Sequence, residues 1–582
     1  MAGFFFWHSS EQYNPDTIDD EYSSLGYIKG KHLNYGKWNV VIFSKSLYNI
    51  RNYHIYHDGI VCGVGTFAYR EKMYDKALPL VYNDFNNSSL QKKTFWGSFI
   101  IIIINKNGLT IIRDGAGLTR LYKLLNRNVF STSYAGLINT TNNILTLDKE
   151  ATTELLMTGV LTGNRTIINN INRVGSSSDF EDINIIKSEP IDYPQPKNRE
   201  EALNQQIEIA KEYYNRISKD WCNYMPEGVL DVGLTGGMDS RLNAALALNT
   251  NGNILFHTHW RKEGLKNDDY LYANILAEKT NKALNIKRVL SPFEMSGAEL
   301  EENFHDAYCL SDGVIRPGCY WDEQYNTFYY RSGLTDKPYL RMLGFGGEQY
   351  RNGERLPLYS KRNIQSWVKW EMVYQFAGSQ FTTKKAYKDT EKIIAYNLKM
   401  LLGEDSKLNL FNYKKYVRMV QSPSYRSLQA SMENRVGFCL NPFLDTCLSF
   451  PSENAIPFLG KSLSFQLDMI KRISPEVAIV PNGYGFNFLK GEPIHLKIAA
   501  IAWQLMPPSI KYPLFLKIKN NYRSDFIPEL VNKHAFVRDL EKNVLQLNLP
   551  VNFKKHRLIR SRARLMLNLG YFLKRNKEKI EY

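Results

Sequence analysis

The sequence has little cysteine, and none of it is arranged for chemistry. Six cysteines occur in 582 residues (Cys62, Cys222, Cys309, Cys319, Cys439 and Cys447), scattered and with no C-x-x-C pair. Neither a disulfide framework nor a zinc site reads from them, and a reducing compartment is expected. Long apolar runs are missing as well. The longest in the first half, Phe99 to Ile104, has the length of one buried strand, far short of the ~18 residues of a membrane span. Met1 to Ser10 hold no Lys or Arg, and Glu11 follows, so no secretory signal is read and a cytoplasmic protein is expected. Internal repeats and low-complexity tracts are also absent, which excludes solenoids and extended disorder.

What is present is ordinary for folded chains: 43% hydrophobic and 23% charged residues. At about 150 residues per domain the length allows two to four domains. The 74 Lys+Arg exceed the 58 Asp+Glu by 16, unevenly: residues 551 to 582 hold ten Lys/Arg against two Glu. A basic end of this kind meets nucleic acid or an acidic membrane surface, or is simply a solvated helix.

Residues 1 to about 145 read mostly as strands, with a hairpin signal at Asn105-Lys106-Asn107-Gly108 between two Ile-rich runs. A polar stretch from Leu145 to Asn198, ending in Tyr193-Pro-Gln-Pro196, reads as a connection. Helical and strand-like segments then alternate: Ala202–Tyr214, Val229–Leu234, Ser240–Leu248, Ile254–His259 and Asp269–Thr280. That alternation predicts a parallel α/β sheet. From Leu358 the pattern is largely helical.

The segment richest in chemistry is Val229 to Leu246. A buried strand ends at Leu234, a Thr235-Gly236-Gly237 turn follows, and a helix begins near Asp239-Ser240. Glycines let backbone approach a ligand, and N–H groups at a helix start favour an anion. Thr235 and Ser240 add hydroxyls. Asp239 would repel phosphate directly, so its expected role is to hold a Mg²⁺ that bridges phosphate oxygens.

Leu234-Thr-Gly-Gly-Met-Asp-Ser240 resembles the S-G-G-x-D-S loop of N-type ATP pyrophosphatases, in particular the asparagine synthetase family. Phe256-His-Thr-His-Trp260 falls where that family's second strand touches adenine, which the resemblance implies for Thr258. Asp269, Ala273 and Ala277 match the spacing of the next helix. Leu343-Gly-Phe-Gly-Gly-Glu-Gln349 resembles the family's S-G-E-G-x-D-E, implying a metal role for Glu348 beside Gly344 and Gly346 at the nucleotide; Phe345 replaces that motif's Glu. Upstream, Gly97-Ser-Phe99, Arg113-Asp114, Gly117, Leu121-Tyr122 and Phe130-Ser-Thr-Ser133 resemble the class II glutaminase domain. Gly159, Thr166 and Ile167 resemble its interdomain segment, and Arg435 with Pro442 to Asp445 resembles the family's R-x-P-F-L-D stretch.

Three departures matter. The glutaminase nucleophile is a cysteine exposed after Met removal, whereas Ala2 stands here and no cysteine precedes Cys62; no glutamine hydrolysis is expected. The family's adenylation Lys has no counterpart in Val480 to Phe486, leaving Lys490 or Lys511 as substitutes. Arg241 follows Asp239-Ser240 where a small residue is usual, and could reach phosphate or an acidic substrate, or pair with a nearby carboxylate. His257 and His259 share a strand face, where satisfied histidines are the plainer reading than a metal pair. Asp312-Gly313 with Arg316-Pro-Gly318 reads as a loop near the family's substrate pocket, or a plain turn.

The resemblance implies an α+β N-terminal-nucleophile-hydrolase-like sandwich over residues 1–190, then an α/β parallel-sheet ATP pyrophosphatase domain over 191–510 with a helical C-terminal part, and a basic helical tail over 511–582. The implied activity is an ATP- and Mg²⁺-dependent ligase that adenylates a carboxylate and forms an amide, with Asp239, Ser240 and Arg241 as the catalytic set. Intramolecular lactam or macrocycle closure is one alternative, and a catalytically silent binding protein another. Expected partners are a small-molecule or peptide carboxylate, ammonia or another amine, an anionic surface for the basic end, and a second copy in a homo-oligomer.

Overall fold

The Asn105–Gly108 signal folds as the hairpin it predicts. Phe95–Asn105 pairs antiparallel with Gly108–Arg113, with Asn105 opposite Gly108, and Gly108 takes the positive φ (109°) that glycine tolerates. The computed structural model describes residues 1–48, 50–175, 183–260, 269–288, 290, 292–315, 336–358, 362–373, 382–460, 462–507, 509–511, 514, 526–553 and 560–582. It is a mixed α/β protein with several sheets, including a five-stranded parallel one, and many helices.

Two six-stranded sheets dominate the first part. One runs in the order Ile171–Arg173, Tyr122–Leu124, Val129–Ser131, Gly3–His8, Trp38–Phe43, Lys31–Tyr35, with antiparallel neighbours. The other runs Ile183–Lys187, Gly108–Arg113, Phe95–Asn105, Gly59–Tyr69, Tyr53–Tyr56, with Lys72–Met73 added to Gly59–Tyr69. Alternate residues of a strand face opposite ways. Phe4, Phe6, Val40 and Ile42 of the first sheet accordingly share one buried cluster with Ile60, Cys62, Ile100, Ile102 and Ile104 of the second. Their neighbours turn away: Phe5, Trp7 and Val41 join a cluster with helices, and Val61, Ile101 and Ile103 join another that includes the helices Tyr74–Asn86 and Arg199–Tyr224. Burial on both faces explains why Phe99–Ile104 is apolar throughout and does not alternate.

The stretch expected as a connection carries structure of its own. Asp148 caps the helix Lys149–Thr158 by accepting from Ala151 N, and Ile183–Lys187 pairs parallel with Gly108–Arg113. Beyond it, Asn198 caps the 26-residue helix Arg199–Tyr224, with Glu200 and Glu201 at its positive end. The third sheet has five strands, every neighbour pair parallel, in the order Leu284–Arg288, Ile254–Trp260, Val229–Gly233, Tyr339–Met342, Phe438–Leu440.

The basic end departs from the expectation of a separate tail. In the helix Arg560–Arg575, Leu565, Met566, Leu569, Phe572 and Leu573 are buried in the cluster that holds Phe5 and Trp7. Ile580–Glu581 then pairs with Leu145–Thr146. Cations hid this apolar stripe from a reading of composition. Lys574 pairs with Glu301, and Lys579 Nζ donates to the Thr141 carbonyl at 3.1 Å. Among the described residues no helix is long and apolar enough to cross a membrane. The described cysteines are free thiols; Cys319 lies outside the described residues.

Candidate functional site

In a parallel sheet of this order, the crevice beyond the carboxyl ends opens where the strand order reverses, between the first and fourth strands. Those strands are Val229–Gly233 and Tyr339–Met342. The segments that follow them are the two motifs singled out from sequence, so Leu234–Ser240 and Leu343–Gln349 meet. Glycine permits the approach. A Cβ on Gly344 would stand 2.9 Å from Ser240 N, and one on Gly347 2.8 Å from Asp239 Oδ1. Gly346 takes φ +98° at the start of the short turn Gly347–Tyr350.

The loop is tied by its own hydroxyls. Ser240 Oγ lies 2.8 Å from Thr235 Oγ1, accepts from Thr235 N at 3.2 Å and donates to the Gly237 carbonyl at 3.0 Å. Thr258 is buried beside it and donates from Oγ1 to the Leu234 carbonyl at 2.9 Å. The glycine amides differ from expectation. Gly236 N donates to Asp269 Oδ1 at 2.7 Å, at the start of the helix Asp269–Lys279, and Gly237 N to Thr235 Oγ1 at 3.1 Å, so both already have partners within the protein. Gly236 is also packed against Tyr272 and Gly483, and Gly483 N donates to its carbonyl at 3.0 Å. Its missing Cβ makes room for the Val480–Phe486 segment.

Both proposed metal carboxylates are held by arginine. Asp239 pairs with Arg351 and accepts from Gln466 Nε2 at 2.9 Å. Glu348 pairs with Arg426 and accepts from Gly346 N at 3.1 Å. Between them Lys414 Nζ donates to the carbonyls of Glu348 and Arg351 at 2.5 and 2.7 Å. Burial, and then the Arg351 charge, bring this ammonium down to about 7 against the pull of Asp239. A cavity of about 30 Å³ beside it is lined by Gly346, Gln349, Lys414, Arg418, Arg426 and Ser452, among others, room for about one or two waters. Lys511, a sequence candidate for the missing cation, lies instead over the Trp503 ring.

Arg241 corrects the sequence expectation. It is fully buried and donates to the carbonyls of Pro481 at 2.6 Å and of Val477 and Val480 at 3.5 Å. It braces the segment that covers Gly236, and among the described residues it is paired with no carboxylate. The strand histidine is similarly engaged: His257 Nδ1 is 2.6 Å from Asp231 Oδ1. Arg341 closes the network, with Nε donating to Asp231 Oδ2 at 2.8 Å and a terminal nitrogen 3.1 Å from Glu433. Burial would raise the Asp231 carboxyl, but Arg341 and then His257 outweigh it and hold it well below the carboxylate range.

Other singled-out residues serve the architecture. Asp312, expected near a substrate pocket, pairs with Arg435 at 2.7 Å and accepts from Ser133 Oγ and the Tyr134 and Ala135 amides, fixing the start of the Tyr134–Thr140 helix. Asp445 accepts from the Gly97 and Cys447 amides. Arg316 to Gly318 lie outside the described residues. Ala2 N donates to the Arg435 carbonyl at 2.6 Å, and Cys62 is buried between the sheets, where burial pushes its thiol up.

Arg351, Lys414, Arg426 and Gln466 were not singled out from sequence. Arg351 carried the one available signal, three residues after Glu348; the others are brought in by helices 60 to 120 residues further along the chain. Among the described residues, no group of three or more His, Cys, Asp or Glu side chains is placed to hold a metal. No family model matches the chain, and no curated protein does.

Proposed function

We propose that the chain is an ATP-dependent, AMP-forming ligase of the asparagine synthetase kind, adenylating a carboxylate and joining it to ammonia or another amine. The first sheet pair would be the family's glutaminase sandwich without its nucleophile, and the parallel sheet its ATP pyrophosphatase domain. The observation that carries the reading is the meeting of Leu234–Ser240 with Leu343–Gln349 at the reversal of strand order.

The donor set fits Mg²⁺–ATP chemically. Asp239 and Glu348 supply hard oxygen ligands, and Mg²⁺ is commonly held by one or two carboxylates plus phosphate oxygens, not by an all-protein cage. Bound Mg²⁺–ATP supplies the adenylyl group and a pyrophosphate leaving group. Thr235 and Ser240 would bind phosphate oxygens. Arg351 and Arg426, exchanging carboxylate for phosphate, would neutralise charge as the leaving group departs, which electrostatic preorganisation favours. Lys414 would hold the Glu348 backbone in place. Ala2 offers no thiol, so the amine comes from outside the chain's own glutamine chemistry.

A second reading, a chain that keeps this architecture without turnover, is favoured by the inward pairing of Asp239, Glu348 and both glycine amides. Calorimetry with Mg²⁺–ATP on wild type and Asp239→Ala separates the two. Binding that disappears in the variant supports the ligase and directs a search for the acid by pyrophosphate release. No binding to folded wild type, with and without panels of acids, defeats it in favour of the second reading.

A further inference from the structure

The cavity that stands out lies away from the loop just described. It measures about 500 Å³ and runs between the Arg113–Leu121 and Thr162–Gly175 segments on one side and the Asn397–Leu401 and Arg418–Pro423 segments on the other. That volume is in the range of small-molecule sites. Its charged lining is four arginines, Arg113, Arg120, Arg173 and Arg418; among the described residues no Asp or Glu lines it.

Arg113, Arg120 and Arg173 are held by carbonyls and a hydroxyl, and among the described residues none of the three hydrogen-bonds to a carboxylate. Arg113 donates to the carbonyls of Val174 (2.7 Å) and Thr119 (3.1 Å), and Arg120 to that of Ser424 (2.8 Å). Arg173 donates to the Gly163 carbonyl (2.6 Å) and Ser424 Oγ (2.9 Å). The Nε atoms of Arg113 and Arg120 are buried with no hydrogen-bond partner, and the two residues are 2% and 8% exposed. The hydrogen bonds of the nearby carboxylates go elsewhere: Asp114, whose charge acts on Arg113, accepts from the Phe99, Leu118 and Thr119 amides, and Glu154 is taken by Arg165 and Thr162. Among the described residues, Arg418 is the one of the four that is ion-paired, with Glu453. Burial first, and then the Arg120 charge, bring Arg173 down to about 10, with Arg113 adding to the effect and Tyr122 and Glu154 opposing it.

Like charges gathered out of water are costly unless countered, and an arginine fork binds carboxylate or phosphate oxygens in paired geometry. We propose that this cavity is a binding site for a small, multiply charged oxyanion, bearing carboxylates or phosphates, and that Arg113, Arg120 and Arg173 are its ligands. Backbone carbonyls preset the three forks, while Met400 and Met419 stand at the lining with 72% and 39% exposure, at the cavity's outer side. Arg418 lines this cavity and also the small one beside Lys414, so an occupant would adjoin the site above. The assignment does not depend on ATP chemistry there.

The test is calorimetric titration of the full chain, at low ionic strength and without Mg²⁺, with citrate for the carboxylate source and inorganic triphosphate for the phosphate source. One saturable site is expected for at least one probe, weakened about tenfold or more by Arg173→Gln, the scale of one charge-assisted contact. Met419→Trp, which narrows the cavity from its exposed side, should weaken it independently should Arg173→Gln fail to fold. Asp239→Asn reports on the other loop. An affinity lost in that variant and kept in the cavity variants would place the anion at the Leu234–Ser240 loop and overturn the proposal. Absence of saturable binding, or equal affinity in every variant, would overturn it as well, leaving only diffuse surface charge.

Discussion

Gly347 stands so close to Asp239 that a single methyl group on it would lie 2.8 Å from the carboxylate Oδ1. Gly347→Ala must therefore push Asp239 from its place between Arg351 and Gln466. Overpacking of this kind costs about 1–3 kcal/mol. A lowered urea midpoint is expected, and Mg²⁺–ATP affinity, once measured for wild type, should fall with it. Unchanged stability and binding would mean that the two loops separate readily.

The network of Asp231, Arg341, His257 and Glu433 predicts a larger effect. Arg341 is 2% exposed and serves both carboxylates. Arg341→Met leaves two buried acids without their cation, and breaking a buried pair costs about 3–5 kcal/mol. Equilibrium unfolding should show a loss of that size near neutral pH, with part of it recovered in acid as the carboxyls take up protons.

Lys414 should make the chain more stable as pH rises through the alkaline range. Its ammonium is lowered from 10.5 to about 7 in the folded state, so between those values the unfolded chain binds more protons and stability grows with pH. Lys414→Gln keeps a donor for the Glu348 and Arg351 carbonyls but cannot titrate. The difference in stability between wild type and variant should shift in favour of wild type from pH 7 to 10. A pH-independent difference would show that Lys414 is not shifted.

Asp445 works in the opposite direction. Burial pushes its carboxyl from 3.8 up to about 6, against the pull of the Cys447 amide, Tyr213 and the Gly97 amide. The folded state therefore holds the extra proton between those values, and stability is lost as pH rises through them. Two units correspond to roughly 3 kcal/mol. Asp445 caps the short helix Thr446–Ser449, and asparagine caps a helix as well as aspartate, so Asp445→Asn should gain on wild type by up to about that amount between pH 4 and pH 8. Thermal melts at both values check it.

Local pattern carried the parts of the fold that local physics decides. The alternation from Val229 to Lys279 marked four elements of the parallel sheet region within a few residues, and Asn105–Gly108 marked the hairpin. Pairings across long separations left no such mark. Nothing in Ile183–Lys187 says that it lies parallel to Gly108–Arg113 rather than beside a closer strand. The leucines of Arg560–Arg575 were masked by flanking cations, so composition suggested a solvated end where the structure buries a stripe. At the candidate site, residue types at Leu234–Ser240 were legible, but their partners Arg351, Arg426 and Gln466 were not, since a carboxylate's counter-ion is chosen by packing. Arg241 was misread for the same reason: its side chain follows the bare carbonyls of Val477 to Pro481, which sequence does not display.

Phe572 stacks on Tyr134, ring centres 6.1 Å apart and nearly coplanar in orientation, and Ile580–Glu581 zips onto Leu145–Thr146. A ribosome delivers these partners more than 400 residues apart. The sheets made from the first 190 residues can draft their strands early, yet one flank stays uncovered until the last helix emerges. During that interval Tyr134 and the Leu145–Thr146 edge, which Phe572 and Ile580–Glu581 cover in the finished fold, remain open to the wrong neighbours. Nascent chains halted before residue 560 should thus recruit holdase chaperones that the released, full-length protein sheds.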